Sequence, residues 1–101
     1  MKKSFTKYAE QEVRSIHRLS KRLNCSLGKD HARVLLDMIK EHADEVRELH
    51  DQGDAHYLVE AGDLLVLCLE LIKEAKASPN AVLQKCYPRF HKKLLSLMLE
   101  K

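Results

Sequence analysis

The fold class this chain predicts is all-α, a four-helix bundle with its last helix kinked or split at Pro88. Three observations lead there. Apolar residues recur at helical spacing, with no strand-like alternation. The composition is rich in Leu, Lys, Glu and Ala, and only two prolines and three glycines interrupt 101 residues. Three short stretches of turn formers then cut the chain into four segments. At this length residues 1–101 make one domain. A domain this small buries roughly 60–70% of the surface its unfolded chain exposes, so pairing with a second copy would add needed core.

The first helix is expected from about Ser4 to Leu23, with Phe5, Tyr8, Val13, Ile16, Leu19 and Leu23 as its apolar stripe. Asn24-Cys25-Ser26-Leu27-Gly28-Lys29 ends it. Asp30 is the expected N-cap of a second helix that closes near Asp51. Gln52-Gly53-Asp54 is short enough to turn a third helix back antiparallel, with Asp54 as its cap. That helix runs to about Ala77 and is apolar almost all round, from Leu58 and Val59 through Leu64–Leu69 to Leu71 and Ile72. Such a helix belongs at the centre of a bundle or across a subunit interface. Ser78-Pro79 reads as cap and first-turn proline of a fourth helix reaching about Leu99. Pro88 falls inside it, removing one backbone bond.

Charge divides the chain. Residues 37–74 hold eleven acids and three Lys/Arg, a net of −8, whereas the flanks carry a net of +11. An acidic centre between basic ends suits a cation and a polyanion bound side by side, although solvated outer helix faces account for many of the same residues. Cys25, Cys68 and Cys86 form no CxxC and leave an odd count, as fits a reducing cytoplasm. The basic start Met1-Lys2-Lys3 has no apolar signal core behind it, and Leu64–Leu69 is too short to span a bilayer. A cytoplasmic protein without a membrane partner is expected.

Two carboxylates interrupt the apolar third helix. At about 100° per residue, Asp63 falls about 60° from Glu60, and both share a face with Leu64, Leu67 and Leu71. Burying a carboxylate is costly unless it is paired or holds a metal. Glu60 could instead sit half exposed near the positive helix N-terminus; Asp63 lies deeper and has less access to that relief. On the second helix, His42 falls within the stripe Leu35, Ile39, Val46 and Leu49, with Glu45 at its edge and Glu41 and Glu48 farther out. The antiparallel turn brings Glu45 roughly opposite Glu60 and Asp63, and oxygen ligands from facing helices suit Mg²⁺ or Mn²⁺. His42 is open to two roles, a metal ligand or a core histidine bonded to a carboxylate. A histidine ligand shifts preference from Mg²⁺ toward Mn²⁺ and later transition metals.

These residues carry a resemblance. Glu41-His42-Ala43-Asp44-Glu45-Val46 is similar to the EExxEV motif of the all-α nucleotide pyrophosphohydrolases of the MazG type. Leu58-Val59-Glu60-Ala61-Gly62-Asp63-Leu64-Leu65 resembles their second motif, EELGDLL, and also the related phosphoribosyl-ATP pyrophosphohydrolase. Lys85-Cys86-Tyr87-Pro88-Arg89-Phe90-His91-Lys92-Lys93 is similar to the family's basic tail. The resemblance covers roughly residues 33 to 94. It departs twice: His42 stands where the family has a glutamate ligand, and Tyr87 where it has a tail asparagine. A shifted register, Glu45-x-x-Glu48, restores two glutamates but leaves only eleven residues before Glu60.

The resemblance implies a metal-dependent hydrolase that splits a nucleoside triphosphate, its nucleotide substrate, into monophosphate and pyrophosphate. Glu45, Glu60 and Asp63, with His42, would hold Mg²⁺ or Mn²⁺, and Glu41 or Glu48 would position the attacking water. Lys85, Arg89 and Lys93, four apart along one helix, would face phosphates; a solvated face is the plainer account of that stripe. A homodimer is expected from the apolar third helix. The alternative from another class is a catalytically silent bundle acting as a structural or interaction module. Nucleic acid is not an expected partner, because no recognised motif accompanies the basic flanks. A di-iron centre is excluded, because no histidine has Glu three residues before it. Gly28-Lys29 lacks the upstream glycine of a P-loop.

Overall fold

Four helices form in the order in which the turn formers divide the chain: α1 (Phe5–Ser26), α2 (His31–Asp51), α3 (Tyr57–Glu74) and α4 (Pro79–Leu99). They are those of a computed structural model that describes residues 5–100, so the expected start at Ser4 lies outside the described residues. The fold is an all-α four-helix bundle, without strands among the described residues.

The caps explain most boundaries. Gly28 adopts φ 69 after α1, and Lys29 N–H donates to Asn24 O at 2.9 Å, so the helix closes three residues beyond Leu23. Asp30 caps α2 as expected, accepting from Arg33 N at 3.2 Å. Gly53, at φ 73, reverses the chain toward α3. Asp54 does not cap α3. Its carboxylate accepts from His56 N at 2.9 Å and closes a separate turn, and the helix begins only at Tyr57, behind His56. α3 ends at Glu74, short of Ala77, because Lys76 takes a left-handed conformation at φ 60. Ser78 caps α4 through Ala81 N at 3.3 Å, with Pro79 in its first turn. Of the two outcomes expected at Pro88, a split does not occur: α4 is assigned as one helix through it.

α2 and α3 form the most extensive pairing, and α3 alone approaches every other helix, the central position its apolar sequence requires. The backbone of α4 approaches α3 only. The best-buried apolar side chains, Val13, Leu35 and Leu67, come one each from α1, α2 and α3. From residue 87 to residue 100 every residue is exposed.

Of the expected apolar stripe of α1, Val13 alone is buried among the described side chains. Tyr8, Leu19 and Leu23 are exposed. The inward face runs from Val13 through His17, Ser20 and Asn24, which fall within about 60° of one another on a helical projection. Three of these four are polar, and each is paired. His17 Nε2 lies 2.9 Å from Glu74 Oε2, Ser20 Oγ donates to Glu70, and Asn24 Nδ2 lies 2.9 Å from His31 Nδ1. That pairing offsets the desolvation cost that would otherwise turn the apolar stripe inward. No described helix is long and apolar enough to cross a membrane.

Candidate metal centre

The antiparallel α2–α3 hairpin brings His42, Glu60 and Asp63 together, each offering one ligand atom within 4.8 Å of the others. His42 is held by its ring: Nδ1 lies 2.9 Å from Met38 O, one turn earlier, where it can only donate. That bond leaves Nε2 as the lone-pair nitrogen, the tautomer a metal ligand needs. Nε2 stands 3.6 Å from Glu60 Oε2. The other carboxylate oxygen, Oε1, lies 3.4 Å from His56 Nε2, one turn back on the chain.

Glu60 is the focus of the group. Its side chain is only 14% exposed, and Oε2 is buried without a hydrogen-bond partner. Such an oxygen carries its full desolvation cost until a cation reaches it. The sequence ranks the two acids the other way round, with Asp63 the deeper. In the structure Asp63 is exposed and Glu60 enclosed, because Glu60 faces α2 whereas Asp63 stands at the rim of the hairpin. One imidazole nitrogen and two carboxylates from two helices fit Mn²⁺ or a later transition metal better than an all-oxygen Mg²⁺ shell.

The remaining expected residues stand elsewhere. Glu45 is exposed and outside the group. Tyr57, at the start of α3, faces His50 instead, ring to ring at 5.0 Å. Glu41 and Glu48 are likewise exposed on α2. Lys85, Arg89 and Lys93 are exposed on α4, whose backbone does not approach α2. Tyr87 lines a cleft of about 540 Å³ with Val13, Leu65, Leu69 and Leu83, between α1, α3 and α4, away from the carboxylates. His56 is the neighbour the sequence reading missed, although its spacing of four from Glu60 was there to be read.

Compared with known proteins, the chain matches no family model, no curated protein and no solved structure.

Proposed function

We propose that this chain is a divalent-metal-dependent nucleotide pyrophosphohydrolase of the MazG-like kind, with its cation on His42, Glu60 and Asp63. The observation that supports this reading is the convergence of those three side chains around the unpartnered Glu60 Oε2. When bound, Mn²⁺ or Mg²⁺ would neutralise charge developing on phosphate and lower the pKa of an attacking water. Glu41 or Glu48, exposed on the same helix as His42, would accept that water's proton. Lys85, Arg89 and Lys93 would meet the substrate phosphates from solvent. A screen of pyrophosphate release from nucleoside triphosphates, with Mg²⁺ and with Mn²⁺, tests it. Release that Asp63→Asn removes is expected; a folded protein that releases none with either metal sinks the reading.

A second reading, an interaction module, has its own observation. Tyr8, Leu19, Leu23, Leu58 and Leu65 are exposed on α1 and α3, and Phe90, Leu94, Leu95 and Met98 on α4. The occupant this favours is a second copy of the chain. A second copy would cover the leucines, and the basic flanks of one copy carry charge opposite to that of residues 37–74 of the other. Light scattering that finds a monomer at micromolar concentration counts against the dimer.

A further inference from the structure

At the other end of the α2–α3 pair lies a second group that neither the resemblance nor the proposed reaction uses. His17 of α1, His31 of α2 and Glu74 of α3 each offer a ligand atom within 4.8 Å of the others. His31 is almost fully enclosed, 5% exposed, and its Nε2 has no hydrogen-bond partner. It faces Glu74 Oε2 at 3.8 Å, too far for a hydrogen bond, while His17 Nε2 approaches the same oxygen at 2.9 Å. The two imidazoles meet edge to face, with centroids 5.3 Å apart. The other carboxylate oxygen, Oε1, is taken by Lys21 Nζ at 3.1 Å, leaving Oε2 to the two rings.

We propose that His17, His31 and Glu74 form a zinc site that ties α1, α2 and α3 together. Two imidazole nitrogens and one carboxylate oxygen are a donor set for Zn²⁺, with a water as fourth ligand. Tetrahedral bonds of about 2.0–2.1 Å set ligand atoms roughly 3.3–3.5 Å apart. The observed 2.9 and 3.8 Å lie on either side of that, so small rotamer shifts close the site. A purely structural hydrogen-bond network does not account for a buried His31 Nε2 with nothing to bond.

Asn24 supplies the outer support. Its amide lies 2.9 Å from His31 Nδ1. Turned so that its oxygen accepts Nδ1–H, it leaves the Nε2 lone pair free for the metal and fixes the ring. The adjoining cleft of about 370 Å³ on α1 is rimmed by Arg14, Arg18, Lys21 and Arg22. The basic rim opposes any dication alike, so the imidazole donors, not the local field, would select the metal.

The test uses the full chain carrying Asp63→Asn, which disables the other candidate centre. With Co²⁺ as the zinc probe, the intense visible bands of tetrahedral cobalt are expected at one equivalent. They should appear without the near-ultraviolet thiolate band that binding at Cys25, Cys68 or Cys86 would give. Zn²⁺ should displace the cobalt, and His17→Gln or Glu74→Gln should weaken zinc binding at least about tenfold. Circular dichroism checks that each variant is folded. Cobalt bands carried by thiolate, or zinc affinity unchanged in both folded variants, overturn the proposal. So does an Asp63→Asn chain with no tetrahedral cobalt spectrum, whatever the variants do. Cobalt bands retained in Asp63→Asn together with no pyrophosphate release by the wild type would leave this inference standing and the proposed reaction refuted.

Discussion

His42 Nε2 on α2 and Glu60 Oε2 on α3 stand 3.6 Å apart across the hairpin, close enough to share a cation and too far to satisfy one another by hydrogen bonding. The arrangement recurs farther along the same helices, where His31 Nε2 faces Glu74 Oε2 at 3.8 Å. His31 and His42 lie on one face of α2, separated by about 16 Å of helical rise. Two histidine–carboxylate gaps thus lie along the α2–α3 pair, each with an enclosed atom lacking a partner.

At the His42 gap, Mn²⁺ at a hundredfold excess over its dissociation constant should stabilise the fold by about 2.7 kcal/mol. Scanning calorimetry should show the melting temperature rise in the wild type and not in Asp63→Asn. Glu45→Gln should keep the rise, because Glu45 is exposed and outside the group. A wild type indifferent to Mn²⁺, Mg²⁺ and Zn²⁺ removes the main support for the centre.

His42→Glu places a third carboxylate beside Glu60 and Asp63. Without metal, the variant should lose on the order of a few kcal/mol through desolvation and like-charge repulsion. Mg²⁺ should restore that loss, since the new ligand set is all oxygen. Urea unfolding with and without Mg²⁺ reads both effects; a loss that no metal restores assigns His42 to packing.

Glu74 makes stability depend on acid. Its carboxyl sits below its ordinary value of 4.5: desolvation raises it, but His17, Lys21 and His31 outweigh that. A depressed carboxyl contributes stability that is fully present above 4.5 and is lost as pH falls through the folded-state value. In metal-free buffer the wild type should therefore lose stability more steeply below that point than Glu74→Gln does. Parallel slopes in urea titrations over that range would show that the carboxylate adds nothing.

Lys76 holds a left-handed φ of 60 just past α3, where glycine carries no steric penalty. Lys76→Gly should raise stability by up to about 1 kcal/mol. Gly53→Ala, at φ 73, should lower it by a similar amount, and purely through backbone strain, since a Cβ there meets nothing within 4 Å. Chemical denaturation of the two variants should give opposite signs.

The sequence foretells the helices well, because their ends are written in local chemistry. Asp30, Gly53 and Ser78 each act within a few residues of where they stand. His42 was also legible, since one helical period places it inside the apolar stripe of α2. Glu45 was misplaced because periodicity set it at the edge of the inward stripe, and a residue at an edge can turn to solvent, as Glu45 does. The inward face of α1 was illegible for a different reason. Hydrophobic spacing selects Tyr8, Leu19 and Leu23, yet His17, Ser20 and Asn24 are buried because partners on two other helices satisfy them. His17, His31 and Glu74 share no spacing in the chain, so no motif could announce them.

The attachment of α4 to a single neighbour has a consequence for amide exchange. Pro88 supplies no N–H to the helical ladder, and from there to residue 100 no side chain is enclosed. A free-standing helix of about 12 residues is marginal in water, so this half has little besides its own ladder to keep it closed. Its amides should exchange with deuterium as a separate opening unit, far faster than those of α2 and α3. Should a second copy cover Leu94, Leu95 and Met98, the protection of that segment alone will rise with protein concentration.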